Sequence, residues 1–290
     1  MNIRKSITSV VAAAVLGTAL IASLVNVGPG TAVAAKPNMT PNYEIHALLD
    51  PNAALNPDHT LNSTVLSVFN ITAAPVQMNV QYMDTNNQDL NKEGWSARIR
   101  KMTGDTKFKL NYKKRYPITG NNITAALNQA NKDGFDSSDT NYDAQVEWSY
   151  SSKTLSISID KNVSIAGYSG VTLPNQADSV AAIVNNIPGK LNKWTSPGWG
   201  TSVLSQSRVY GPVYATRYTG TFNGMKTYIE VWPIKNTSGT GYDYIVEASF
   251  KVDTETDAAN SSSQLFSFLQ SHGWFLPQDA LKTSTILQRY

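Results

Sequence analysis

The chain has 290 residues, with 24 Lys and Arg against 21 Asp and Glu and a formal charge of +3. At 41% hydrophobic and 10% aromatic residues it is neither disordered nor fibrous, and its length supports one large core or two modest ones. The absence of cysteine excludes a disulfide framework, a thiolate zinc site and lipid attachment through a thiol.

The first segment reads as a secretory signal spanning Met1 to Ala35. Arg4 and Lys5 supply a positive start, Ser9 to Val25 is an uncharged run, and Ala32, Ala34 and Ala35 form a small-residue exit. An uncleaved anchor is the alternative, because the run approaches the shortest length that spans a bilayer. Gly28-Pro29-Gly30 breaks that run and favours cleavage. Removing 35 residues with Arg4 and Lys5 leaves 22 basic and 21 acidic residues over 255 positions, a net charge of +1. Such a chain has no global pull on nucleic acid or on anionic membranes, so any anion chemistry must come from local clustering. A disulfide-free exported chain suits a bacterium releasing a protein to its surroundings. Residues 36–290 are expected to form a single domain.

In Tyr43 to Leu49 the side chains alternate as in a strand, with Ile45, Ala47 and Leu49 on one face and Glu44, His46 and Leu48 on the other. Val76 to Met83, Trp95 to Met102 and Lys107 to Tyr116 follow as strands, the last two joined by a turn at Gly104-Asp105. A helix is predicted from Ile123 to Asp133, capped by Asn122 and ended by Gly134. The polar stretch from Asp136 to Asp139 marks the midpoint. Tyr142 to Tyr150, Lys153 to Ile159 and Arg208 to Thr219 are further strands. Asn223-Gly224 signals a hairpin into Lys226 to Trp232, and Tyr242 to Val252 is the last strand. Helices are predicted from Gln176 to Ile187 and from Asp257 to His272. Asn192 to Thr201 reads as an ordered loop, in which Trp194 and Trp199 form either a lid over the core or a sugar-stacking platform.

The hairpin formed by the third and fourth strands concentrates the charge. Period-two alternation puts Arg98 and Arg100 on one face of the outgoing strand, and Lys109, Lys113 and Arg115 on one face of the return strand. Two placements satisfy such a pattern. In an open sheet the charged face meets water; in a closed barrel the apolar face packs outward and leaves a polar interior. Five cations without a carboxylate among them repel one another unless an anion, or carboxylates from other strands, lie opposite. Phosphate-loop, dinucleotide-loop and HExxH motifs are absent, and three histidines without cysteine make a zinc site improbable. Gly167-Tyr168-Ser169-Gly170 lacks the closing glycine of a nucleophile elbow.

Tyr82-Met83-Asp84-Thr85, Leu90, Gly94-Trp95-Ser96-Ala97-Arg98-Ile99-Arg100 and Lys113-Lys114-Arg115 together resemble the CYTH superfamily, the triphosphate tunnel metalloenzymes. The resemblance extends more diffusely to the Glu44 strand, to Ala144-Gln145-Val146-Glu147 and to Tyr244-Ile245-Val246-Glu247-Ala248. It implies an α+β fold, an antiparallel barrel of about eight strands with peripheral helices, forming a tunnel. It further implies that Arg98, Arg100, Lys109, Lys113 and Arg115 grip a phosphate-rich anion. Glu44, Glu147 and Glu247 would hold Mg²⁺ or Mn²⁺, with Glu44 and Glu247 acting in catalysis.

The chain departs from that pattern where the metal would sit. In the opening E-x-E-x-K signature, His46 and Leu48 take the second and third places. Ser249 replaces the second acid after Glu247, and Gln145 stands where a further acid is expected. Anion binding is therefore expected to outlast catalysis. The favoured reading is a secreted protein binding tripolyphosphate or an organic polyphosphate in a cationic tunnel. A metal-dependent extracellular phosphohydrolase and a structural domain whose basic face pairs with internal glutamates are the alternatives.

Overall fold

The computed structural model describes residues 36–279 and 282–290. The expected signal, Met1 to Ala35, lies outside the described residues. The strands are β1 (Asn42–Leu49), β2 (Val76–Asp84), β3 (Trp95–Met102), β4 (Phe108–Pro117), β5 (Asp143–Trp148), β6 (Lys153–Val163), β7 (Arg208–Phe222), β8 (Met225–Lys235), β9 (Tyr242–Val252) and β10 (Phe275–Leu276). The helices are α1 (Pro51–Ala54), α2 (Ser63–Val68), α3 (Asp89–Lys92), α4 (Ile123–Lys132), α5 (Gln176–Asn185), α6 (Gly189–Asn192), α7 (Trp199–Ser205), α8 (Glu255–Ser271) and α9 (Lys282–Arg289).

The strands run in the order β1-β5-β6-β4-β3-β2-β7-β8-β9, and β9 pairs back along β1 from Tyr43↔Val252 to Leu49↔Val246, which closes the barrel. Closure bears out the expected α+β barrel with peripheral helices and sharpens it in two respects. Among the described residues the barrel has nine strands, against an expectation of about eight, and one pair in the largely antiparallel wall is parallel, β1 with β5 from Asn42↔Gln145 to Ile45↔Trp148. A parallel pair needs a long connection, and β2, β3, β4 and α4 lie between these two strands in the chain. Past the end of that pairing, β10 takes over beside Leu48 and Leu49.

The alternation of the strands has the outward-apolar sense. Ile45, Ala47 and Leu49 of β1, Ala97 and Ile99 of β3, and Phe108, Leu110 and Tyr112 of β4 are buried in one core with Ile183 of α5 and Leu265 and Leu269 of α8. Tyr112 Oη donates to the carbonyl of Ile183 at 2.6 Å, which ties α5 to the barrel wall. Arg98, Arg100, Lys109, Lys113 and Arg115 on the alternate positions consequently point into the bore. The Asn223-Gly224 hairpin is present between Phe222 and Met225, and both turn residues have positive φ, 49° and 78°.

The predicted loop from Asn192 to Thr201 is bounded by α6 and α7, the latter starting at Trp199 once Gly198 has turned the chain at φ 83°. Trp194 and Trp199 pack against the core, as lids do. Trp194 Nε1 donates to Glu93 at 3.1 Å, and its ring carries the Lys114 ammonium at 4.6 Å. No helix among the described residues is long and apolar enough to cross a membrane.

Candidate functional site

A cavity of about 580 Å³ runs inside the barrel, and every residue singled out from the sequence lines it: Glu44, Arg98, Arg100, Lys109, Lys113, Arg115, Glu147 and Glu247. Strand register explains the convergence. Arg98 stands beside Asn111 and Arg100 beside Lys109 across β3 and β4, while Lys113 and Arg115 stand beside Ser158 and Ser156 of β6. Lys114, between them in sequence, faces outward and donates to the carbonyl of Glu93 at 2.6 Å.

Eight Lys and Arg line the cavity against six Asp and Glu. Some of the hairpin cations find carboxylates from other strands. Lys109 pairs with Asp160 at 3.1 Å, Lys113 with Glu147 at 2.6 Å, and Arg115 with Glu147 at 3.5 Å. Burial alone raises the Glu147 carboxyl, but Lys113 and Arg115 outweigh it and hold the group well below the usual carboxylate range.

Arg98 and Arg100 are different. Neither forms an ion pair with a carboxylate among the described residues, and the Nε of each is buried without a hydrogen-bond partner. Burial first, then the neighbouring Arg98 and Arg217, push the Arg100 guanidinium down to about 10. Burial opposes the Arg98 charge, but Tyr82, beside it across β2 and β3, and Asp160 outweigh it and raise the guanidinium above its ordinary value. In the Tyr82-Met83-Asp84-Thr85 motif the acid is structural. Asp84 accepts the backbone N–H groups of Thr85, Leu90 and Asn91 at 2.8, 3.0 and 3.0 Å, which fixes the turn into α3.

The carboxylates on the opposite wall are held by protein cations. Glu230 and Glu247 face each other across β8 and β9, and the Lys282 ammonium contacts both, at 3.0 and 2.7 Å. Glu230 also binds Arg217 through Nε and Nη2 at 2.8 and 2.5 Å and accepts from Trp232 Nε1 at 2.8 Å. His46 Nδ1 lies 3.0 Å from Glu247, and its Nε2 lies 3.6 Å from Glu44, which also accepts from Gln145. Burial would lower the His46 imidazole, but Glu247 and Glu44 raise it to about 9, so it is cationic at neutral pH.

Lys282 opens α9, an element that no periodicity in the sequence announced. Ile286 and Leu287 of α9 share a second apolar cluster with Met78, Val80, Tyr82, Val213, Ala215, Trp232 and Ile234. Met78, Tyr82 and Trp232 also line the cavity, so α9 covers the apolar part of the inner wall and Lys282 projects beside its acidic part. Arg217 lies on a predicted strand and Asp160 just past the end of one, on a β6 that runs on to Val163, and only strand pairing places them at the cavity.

Mg²⁺ or Mn²⁺, implied by the resemblance, would draw on Glu44, Glu147 and Glu247. Each of these already faces a protein cation, and no group of three His, Asp or Glu among the described residues is arranged to hold a metal ion. A cation demanding near-octahedral oxygen ligation would have to displace Lys282, His46 or Lys113. The donor set does not fit such an ion.

No family model and no curated protein matches the chain. Solved structures do. The chain is similar to a candidate adenylyl cyclase from Hippeastrum described as having a dominant triphosphatase activity, at 14% identity over 84% of this chain and 94% of that one, with a TM-score of 0.47. It is also similar to a candidate adenylate cyclase from Bacillus halodurans, at 12% identity over 86% and 98% with a TM-score of 0.49. A third, from Vibrio parahaemolyticus, has 11% identity over 86% and 99% with a TM-score of 0.42.

Proposed function

We propose that this protein acts outside the cell as a receptor for phosphate-rich anions, tripolyphosphate or an organic polyphosphate, and binds them in the barrel cavity without turning them over. One observation carries this reading: Arg98 and Arg100 line the cavity with no carboxylate within ion-pair distance, Asp160 and Glu230 acting on them only from further off. Two half-buried forks side by side, each with a buried Nε lacking a partner, repel each other, and a multivalent anion is the ligand that turns this cost into charge-assisted hydrogen bonds. Lys109, Lys113 and Arg115 extend the cationic wall along the next strand. The barrel itself is the architecture that the CYTH resemblance implies. The carboxylates the same resemblance assigns to a metal are spent on His46, Lys282 and Lys113, which favours binding over hydrolysis.

The test is calorimetry with tripolyphosphate at low salt in the presence of a chelator, alongside phosphate release in Mg²⁺ or Mn²⁺. Binding that persists in chelator and weakens steeply with salt is expected, with no phosphate released above a Glu44→Ala control. Absence of binding at low ionic strength refutes the reading, and metal-dependent release that Glu44→Ala abolishes replaces it with phosphohydrolysis.

A further inference from the structure

The acidic wall of the cavity poses a problem of its own. Glu230 and Glu247 are directly opposed on neighbouring strands, an arrangement that destabilises a sheet unless a cation lies between the two charges. Glu44 lies further along the same arc, reached through His46. Three carboxylates therefore line one side of the cavity, and such a wall stays charged only with cations beside it. Here the cations come from the chain. Lys282 touches Glu230 and Glu247, and His46 touches Glu247 and approaches Glu44.

We infer that Lys282, with His46 beside it, takes the place of a divalent metal on this arc, so that the protein carries its own counter-cation and excludes Mg²⁺ and Mn²⁺. The geometry supports a substitution rather than an incidental contact. Lys282 projects from a helix anchored by Ile286 and Leu287 in the apolar cluster and by Arg289 on Asp243 at 2.5 Å, so the ammonium is delivered by a fixed element. The ammonium itself lies over the Trp232 ring, 4.7 Å from its centroid. Burial of the ammonium opposes its charge, but Glu230 and Glu247 overcome this and hold Lys282 above the ordinary lysine range. The consequence is chemical selectivity: the cavity takes the free polyanion, and a polyanion chelated to metal meets a wall whose acids are already satisfied. The carboxylate arc holds its cations whether or not tripolyphosphate is the bound anion, so metal uptake and polyphosphate binding are separable readouts.

The experiment is titration of Mn²⁺ alone into the protein, followed by the electron paramagnetic resonance signal of free Mn²⁺. The wild type is expected to take up none at millimolar concentration. Lys282→Met, which frees Glu230 and Glu247, is expected to bind about one ion at least tenfold more tightly. Lys282→Arg, which keeps the charge, is expected to behave as the wild type. If circular dichroism shows Lys282→Met unfolded, Lys282→Gln carries the same comparison, since it removes the charge and keeps a donor. Uptake of Mn²⁺ by the wild type overturns the inference. So does failure of the neutral variants to gain uptake, because Lys282 would then not be what keeps the metal out. Neither result bears on tripolyphosphate binding in chelator, which decides the function proposed above.

Discussion

Glu230 and Glu247 stand directly opposite each other on β8 and β9, two buried acids whose repulsion is answered by the single ammonium of Lys282. Arg217 and Trp232 complete the shell of Glu230, and His46 that of Glu247, so each acid remains ionised despite its burial. On the facing side of the bore neither Arg98 nor Arg100 has a carboxylate within ion-pair distance; Tyr82 and the more distant Asp160 favour the charge of Arg98, whereas Arg100 is pushed down. The cavity is thus balanced on its acidic wall and unbalanced on its basic one, and the expectations below follow from that asymmetry.

Removing the bridging charge should unfold the balanced wall first. Lys282→Met leaves two opposed carboxylates in a buried setting, and breaking a buried ionic network by deleting one partner costs about 3–5 kcal/mol. Urea titration in chelator should show that loss, while Lys282→Arg should lose much less. Equal losses in the two variants would mean that packing of the side chain, and not its charge, is what matters there.

The unbalanced wall should respond in the opposite way. Arg100 is a half-buried cation pushed down by desolvation and by Arg98 and Arg217, so its charge is less favourable in the empty cavity. Arg100→Met keeps the stem and removes the charge. The variant should be about 1 kcal/mol more stable than the wild type without ligand, and should bind tripolyphosphate at least about tenfold more weakly, the equivalent of about 1.4 kcal/mol. Thermal denaturation and calorimetry check the two halves separately. A loss of stability with unchanged affinity would identify Arg100 as a structural residue.

Much of this was legible in the chain because strand alternation is a strong local signal. Arg98 and Arg100, and Lys109, Lys113 and Arg115, were assigned to common faces by a period of two, and the barrel puts all five into one cavity. Alternation cannot say which face is inside, however, and an open sheet satisfied it equally well. Closure depends on β9 returning to β1, a pairing between the first and the last long strand that no local pattern encodes. Lys282 was invisible for a related reason. The α9 segment, Lys-Thr-Ser-Thr-Ile-Leu-Gln-Arg, is mostly polar, and its two buried residues, Ile286 and Leu287, gain meaning only against the inner wall of β2, β7 and β8. His46 was readable as a departure from a signature, whereas its role as a cation between two acids needed the positions of Glu44 and Glu247.

Glu147 separates a binding cavity from one whose charges merely satisfy each other. It holds Lys113 at 2.6 Å and Arg115 at 3.5 Å and accepts from Ser156 at 2.7 Å. Glu147→Gln frees two cations, so the empty protein should lose about 1–3 kcal/mol by the logic of an unpartnered buried charge. The cavity becomes more positive, and tripolyphosphate should bind severalfold more tightly, with a steeper dependence on salt. If the basic face serves only internal pairing, the stability loss appears without any gain in affinity.

His46 sets the pH dependence. Its folded-state value of about 9 stands above the ordinary 6.5, through Glu247 and Glu44 acting against burial. A raised value means that the folded protein holds a proton the unfolded chain releases earlier. The stabilisation from His46 is therefore complete below about pH 6.5, declines as pH rises, and is gone once pH passes about 9. A displacement of this size corresponds to about 2–3 kcal/mol when discounted for partial solvent access. The melting temperature of the wild type should fall between pH 6.5 and 9.5 relative to that of His46→Gln, which has nothing to titrate at this position. The wild-type affinity for tripolyphosphate should decline over the upper part of the same range as the cavity loses one positive charge. Parallel melting curves for the two proteins across that window would show that the imidazole between Glu44 and Glu247 is neutral, and the acidic wall would then rest on Lys282 and Arg217.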